Sequence, residues 1–306
     1  MRIAAMAAGA VGGYFGARLA AAGHDVFFIA RGSNLAAIKA NGLKIESVHG
    51  DLHLPKPNVT DDPREVGPVD VVLFAVKLWD TEAAAELTKP MVGDQTRVIT
   101  LQNGVDSVER LAPILGTERT VGGVTYIATT IAAPGVIKHT SAFAKMVFGR
   151  ADKKPDAMLD RFLAAGKQAK LDVHLAADIE RERWEKFIFL TAMSGSTATF
   201  RSSIGPIAAD DELRDFFRQL MEEAFAVGRA KGVALDHAYV EERLAALRDK
   251  IEPGMKASMA HDLERGNRLE LDWLAGKVRA LGRELGVPTP ASDTVYRVLK
   301  LHRMGR

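Results

Sequence analysis

The chain has 306 residues, 47% hydrophobic and 26% charged, with a formal net charge of +2. That is room for one large or two ordinary globular domains with a sizeable core, and the absence of a dense basic run argues against nucleic acid as a partner. With no cysteine, thiol catalysis, disulfides and cysteine-ligated metals are excluded.

The first predicted unit is strand–helix–strand. Ile3–Ala7 is a short apolar run suited to a buried parallel strand. The small-residue turn Ala8-Gly9-Ala10-Val11-Gly12-Gly13 follows. Phe15, Leu19 and Ala22 then recur at helical spacing until Gly23, and Asp25–Ala30 reads as a second strand. A tight turn at the end of the first strand aims backbone N–H groups and a helix N-terminus at one point, as a pyrophosphate site requires. The glycine fingerprint would fall on positions 7, 9 and 12, and the first of these is Ala7. Alanine fits there only if its φ stays negative. Gly9 leaves room for a phosphate, Gly12, Gly13 and Gly16 let the helix approach the strands, and Ala10 and Val11 lie between them. Where NAD-binding folds place an acid after the second strand, this chain has Ala30-Arg31-Gly32. An arginine there suits a 2′-phosphate, so the expected cofactor is NADP(H).

Farther on, Ser33 or Asn34 is expected to cap a short helix ending at Ala40, and Leu43–Leu54 to form a strand pair. Val69–Val76 is the most strand-like run in the chain, with Lys77 at its end. A helix over Thr81–Thr88 precedes a strand over Arg97–Leu101 that leads into Gln102-Asn103-Gly104. Ligand contacts in doubly wound sheets come from the C-terminal strand ends, which singles out Lys77 and Asn103. Strands are expected over 121–130, 135–138 and 145–148, a helix over 155–169 and a last strand over 172–175. Strand signals then stop. Helices are expected over 179–198, 211–231 and 237–250, with a single one over 257–285. The boundary falls near Ala177, dividing residues 1–177 from an all-helical 178–306, with the substrate expected between the two. In Trp184-Glu185-Lys186-Phe187 a lysine sits among aromatic and aliphatic residues; it either snorkels or serves as a general acid whose pKa is lowered by desolvation. No run is long and apolar enough to span a bilayer, and the Ala-rich start is interrupted by turn glycines and Arg18, so a cytoplasmic protein with no membrane partner is expected.

Assembled, these residues resemble the ketopantoate reductase (2-dehydropantoate 2-reductase) family along essentially the whole chain. The resemblance rests on GAVGGYFGARLAAAGHDV after the first strand, Arg31, AVKLWD around Lys77, LQNGVDS around Asn103 and PGVIKHT at 134–140. It continues with RERWEKF around Lys186 and ASMAHDLERGNRLELDWLAG over 257–276. The resemblance implies an α/β fold with an N-terminal Rossmann-like doubly wound sheet and a C-terminal all-helical domain, in an enzyme that delivers hydride from NADPH to the ketone of a 2-oxo acid. By the same resemblance Lys186 is the proton donor, and Asn103 lies beside nicotinamide and substrate. Lys77 and Arg31 serve the cofactor, and the backbone near Ala128 lines its nicotinamide end. Ser258, with Ser194, serves the substrate, and Glu270 completes the site near the cofactor. A homodimer is compatible with it.

On one unbroken helix Ser258 and Glu270 would stand ~18 Å apart, too far to share one small acid unless the helix breaks near Gly266-Asn267. The family's asparagines one and two turns after the lysine are replaced here by Leu190 and Ser194, and a third falls near Ile204. These departures favour, as the alternative, a reductase of a different and less polar 2-oxo acid. An NADP(H)-binding sensor is disfavoured by the retained Lys186, Asn103 and Glu270. A 3-hydroxyacid dehydrogenase is disfavoured because the helical half lacks that group's glycine-rich lysine motif.

Overall fold

The computed structural model describes residues 1–306. The chain separates into two compact units, Met1–Ile179 and Glu180–Arg306, and its architecture is α/β followed by all-helical.

The first unit runs β1 (Arg2–Met6), α1 (Ala10–Ala21), β2 (Asp25–Ile29), α2 (Gly32–Asn41), β3 (Leu43–Ser47), β4 (Leu52–Leu54), β5 (Asn58–Thr60), β6 (Val69–Phe74) and α3 (Thr81–Thr88). It continues through β7 (Val92–Thr100), α4 (Ser107–Leu115), β8 (Thr120–Ala133), β9 (Val136–Gly149), α5 (Ala157–Gln168) and β10 (Asp172–Leu175). One sheet carries all ten strands in the order β4-β3-β9-β8-β7-β6-β1-β2-β5, with β10 also on β9. From β5 to β8 every pairing is parallel. From β1 the chain adds β2 on one side, passes through β3 and β4 at the far edge, returns to add β5 beside β2, and then builds β6, β7 and β8 on the other side of β1. The C-terminal ends of β1 and β6 therefore flank a topological switch point.

These strands are legible because they are buried on both faces. Ile3, Val71, Val72, Leu73, Phe74, Val98 and Ile99 are wholly inaccessible, and a doubly covered parallel strand reads as a continuous apolar run. Two apolar layers flank the sheet. One gathers Tyr14, Phe15, Leu19, Phe28, Phe148 and Phe162; the other gathers Met91, Leu111 and Leu115 against Val72 and Val98. β8 and β9 form a long antiparallel hairpin. The two halves of β9 pair on their outer edge with β3 and then β10.

The second unit consists of α6 (Ile179–Thr199, beginning at the boundary), α7 (Ile204–Ala209), α8 (Asp211–Ala230), α9 (Ala238–Asp249), α10 (Ser258–Arg265), α11 (Ala275–Leu285) and α12 (Pro290–Leu299). The single helix expected over 257–285 is not formed. α10 stops at Gly266, which adopts φ +69°, and a 3₁₀ turn over Leu271–Trp273 precedes α11. A left-handed glycine is a common helix terminator. Asn267 reinforces it, its N–H donating to the Asp262 carbonyl and its side chain to Asp262 Oδ1. α7 and α12 are additions to the expected helices. Glu223 of α8 closes the N-terminus of α12 by accepting from the Ala291 N–H (2.6 Å), the Ser292 N–H (2.8 Å) and the Ser292 hydroxyl (2.7 Å).

Candidate active site

In the first unit, three loops leave the C-terminal ends of β1, β6 and β7, strands that are neighbours in the sheet. Backbone hydrogen bonds pin these ends together, Ala75 N–H to Met6 O (2.5 Å) and Leu101 N–H to Phe74 O (2.8 Å), while Ala8 N–H to Ile29 O (2.8 Å) ties the end of β1 to β2.

The β1–α1 loop has the form of a phosphate cradle. Gly9 is the N-cap of α1 with φ −79°, no side chain caps this end, and the first turn carries no acid. The opening N–H groups of a helix lack intrahelical partners and favour an anion. A Cβ built on Gly9 would meet nothing within 4 Å, so the space above this glycine is open. The same atom on Gly12 would run into the Ala7 carbonyl, and on Gly16 it would lie 2.8 Å from Phe28 Cε1. Gly9 thus keeps room for a ligand, whereas Gly12 and Gly16 let α1 press on the sheet. Ala7 is absent from the residues with positive φ, which outside glycine are Lys153, Lys170 and Arg201. The alanine at the first fingerprint position therefore does not have to adopt the left-handed backbone that favours glycine.

Arg31 lies two residues beyond β2, exposed and extended (φ −135°), and is the N-cap residue of α2. Neither Ser33 nor Asn34 caps this helix. The Asn34 amide instead donates to Ala8 O (3.1 Å) and its Oδ1 accepts from the Gly135 N–H (2.8 Å). It staples the glycine loop to the turn of the β8–β9 hairpin, a long-range role that local sequence cannot reveal.

Lys77 follows β6, exposed, with its ammonium 5.5 Å from the Trp79 ring centroid. Asn103 follows β7 and is partly buried. Ala128 sits where β8 slips register against β9, and its N–H donates to Ser141 Oγ (2.9 Å).

In the second unit the central residue is Lys186, on α6 between the buried Trp184 and Phe187. The side chain is partly shielded. Burial pulls its pKa down from the ordinary value near 10.5 to about 8, while the Glu270 carboxylate acts the opposite way. Glu270 itself is 7% exposed, at the start of the 3₁₀ turn after the broken helix. Removing such a carboxylate from water is costly unless a charge or hydrogen bonds compensate.

Leu190, one turn beyond Lys186, is partly exposed. Ser194, a further turn on, is fully buried and its hydroxyl has no hydrogen-bond partner. Ser258 is exposed in the first turn of α10. Ile204 is fully buried at the start of α7, its N–H bonded to Met255 O at 2.9 Å. The third position where the family has an asparagine therefore points into the core.

The comparisons with known proteins agree along the chain. Residues 3–153 match the family model "Ketopantoate reductase PanE/ApbA" and residues 178–303 match its C-terminal counterpart. A 2-dehydropantoate 2-reductase from Mesorhizobium japonicum is 32% identical over 98% of this chain and 97% of its own. An uncharacterized oxidoreductase of Bacillus subtilis, YkpB, is 31% identical over 99% of both. Among solved structures, a PanE/ApbA family ketopantoate reductase from Ralstonia eutropha superposes with TM-score 0.90 at 33% identity, covering 99% of this chain and 98% of that one. A D-mandelate dehydrogenase solved with NADH and anilino(oxo)acetate reaches TM-score 0.90 at 18% identity over 99% and 98%, a likeness of fold.

Proposed function

Since this chain belongs to the ketopantoate reductase family, oxidoreductases acting on CH–OH/C=O pairs, we propose that it reduces the ketone of 2-dehydropantoate to pantoate with NADPH, the reductive step of pantothenate biosynthesis. Residues 1–177 form the NADP(H)-binding part and residues 178–306 the substrate and catalytic part. The observation that carries this reading is Lys186, a partly shielded lysine among the buried aromatics of α6 that interacts with the buried Glu270 carboxylate.

The glycine loop fits a dinucleotide, because the space above Gly9 is open and a helix N-terminus without acids faces it. Gly9, Ala10, Val11 and Gly12 receive the pyrophosphate on backbone N–H groups. Arg31 takes the 2′-phosphate through charge-assisted bonds, Lys77 adds positive charge, and Asn103 and the Ala128 backbone serve the nicotinamide end. The bound cofactor supplies the hydride.

The remaining chemistry belongs to side chains. Hydride addition builds negative charge on the carbonyl oxygen. The Lys186 ammonium stabilises that charge and delivers the proton from Nζ. A lysine near 8 is still mostly protonated at neutral pH, yet gives up its proton far more readily than an ordinary lysine. Glu270 keeps the ammonium charged against the cost of burial and serves the cofactor side. Asn103 and Ser258 position the substrate; Ser194, expected beside them, is fully buried and does not face it in this structure.

A second reading concerns the substrate alone. Leu190 offers an apolar surface one turn from Lys186, and Ile204 is directed into the core. Both features favour a 2-oxo acid that relies less on hydrogen bonds near its carbonyl, since a site lacking such partners can lose ~10⁴-fold for a substrate that needs them.

The deciding experiment is NADPH oxidation, followed by absorbance, with 2-dehydropantoate and a panel of 2-oxo acids bearing apolar side chains. Efficient turnover of 2-dehydropantoate establishes the first reading. Turnover confined to the apolar acids establishes the second. No turnover of any of them refutes both.

A further inference from the structure

Between the Lys77 and Asn103 loops lies a buried side chain that plays no part in the chemistry above. Gln102 is 7% exposed, two residues beyond the end of β7. Its amide nitrogen donates to the Val76 carbonyl (3.1 Å) and to Thr81 Oγ1 (2.9 Å), and its amide oxygen accepts from Thr100 Oγ1 (3.2 Å). Thr81 and Thr100 are both fully buried, and the Thr81 hydroxyl in turn donates a hydrogen bond to Leu78 O at 2.8 Å.

The placement of these contacts is what matters. Val76 immediately precedes Lys77, Leu78 immediately follows it, and Gln102 immediately precedes Asn103. The 3₁₀ turn over Leu78–Asp80 begins directly after Lys77, and its first carbonyl is held through Thr81 by the same amide. One side chain thus grips the backbone on both sides of Lys77 from a base one residue away from Asn103. A core site filled only for packing would take an apolar residue, because a buried amide is tolerated only when its hydrogen bonds are made. Here two of them are spent at the ends of the adjoining strands β6 and β7 and the third at the start of α3.

We propose that Gln102 is the positioning residue of the cofactor site: it fixes the Lys77 loop against the Asn103 loop, so that the lysine meets the cofactor at a set distance from the asparagine. This rests on the reading of Lys77 and Asn103 as cofactor ligands. Gln102 acts through Lys77 and not by touching cofactor. Removing it should therefore weaken cofactor binding only while Lys77 is present.

The test is a double-mutant cycle on the full-length protein, with NADPH affinity measured by quenching of intrinsic fluorescence and melting temperature recorded alongside. Gln102→Leu should weaken NADPH about tenfold in the wild-type background and less than about twofold in the Lys77→Ala background, since coupled residues give non-additive losses. Gln102→Glu keeps the size and the acceptor for Thr100 but sets a carboxylate against the Val76 carbonyl. It should show the same coupling, and it stands in if the leucine variant does not fold. Losses that multiply in the double variant, a Gln102 variant that binds as wild type, or a Lys77→Ala variant that binds as wild type would each overturn the proposal. A lowered melting temperature with unchanged affinity is the signature of a purely structural glutamine and overturns it too. If wild-type protein binds neither NADPH nor NADH, the cofactor reading falls and takes this inference with it. If wild type binds and the cycle is additive, the inference alone falls.

Discussion

The pH dependence of reduction follows directly from Lys186 and its neighbour. A general acid must be protonated when substrate is attacked, so activity should be flat at lower pH and fall as pH rises through the lysine's pKa. With that pKa near 8, about one enzyme molecule in eleven carries the proton at pH 9, against more than nine in ten for an ordinary lysine. At saturating NADPH, kcat/KM should therefore drop about tenfold between pH 7 and pH 9. Glu270→Gln removes the charge that supports the ammonium while leaving the desolvation that opposes it, and the descending limb should move to lower pH. Glu270→Asp, which restores a negative charge, should bring the limb part of the way back. Lys186→Ala removes the donor and should lower kcat by about 10²–10⁴, with NADPH affinity kept within several-fold. The assay is the initial rate of NADPH oxidation across pH 6 to 10 in constant-ionic-strength buffers. A limb at pH 10 or above, or one that Glu270→Gln leaves in place, would refute the assignment of Lys186 as a desolvated acid tuned by Glu270.

Three further outcomes are expected. Arg31→Ala should weaken NADPH by tenfold or more, about the value of one charge-assisted contact, while changing NADH little; equal losses in a fluorescence titration would exclude the 2′-phosphate role. Gly9→Ala meets open space at a negative φ, so its melting temperature should stay within about 1 °C of wild type while NADPH affinity falls. Gly12→Ala meets the Ala7 carbonyl backbone and should destabilise the protein by about 1–3 kcal/mol in denaturant titrations; the reverse ranking of stabilities would contradict the two roles. Asp156 caps α5 through the Met158 and Leu159 N–H groups and pairs with Arg97 at 2.6 Å. Burial works to raise its pKa, but the Arg97 bond and the helix N–H groups outweigh it and hold the carboxyl below its usual value. Its contribution is therefore complete above the unfolded-state pKa near 3.9 and is lost as pH falls through the lower folded value. Asp156→Ala should cost about 3 kcal/mol at pH 7 and progressively less toward pH 3, as urea midpoints would show; a cost that is constant over that range would contradict the linkage.

What the sequence by itself determined are the elements whose signal is local. β1, α1 and β2, the almost wholly apolar β6 and α3 over Thr81–Thr88 are visible because a doubly buried strand is nearly continuously apolar and a helix repeats its apolar residues every three to four positions. The glycine turn, Arg31, Lys77, Asn103 and Lys186 could be singled out for the same reason: each stands at a strand end or within a helix that the pattern locates. What only the tertiary structure decided depends on partners distant in the chain. The N-terminus of α12 is closed by Glu223, 68 residues before Ala291, and β5 is a strand because its three residues meet β2. The apolar period of 257–285 continues in sequence through Gly266, yet the backbone turns left-handed there, taking Glu270 off the α10 helix that carries Ser258. Asn34 has the composition of a helix cap but bonds to Ala8 and Gly135, and Gln102 has that of a turn residue but grips Val76 and Thr81. A short polar side chain has many local and distant partners of similar strength, and only the packed sheet, by bringing particular strand ends together, selects among them.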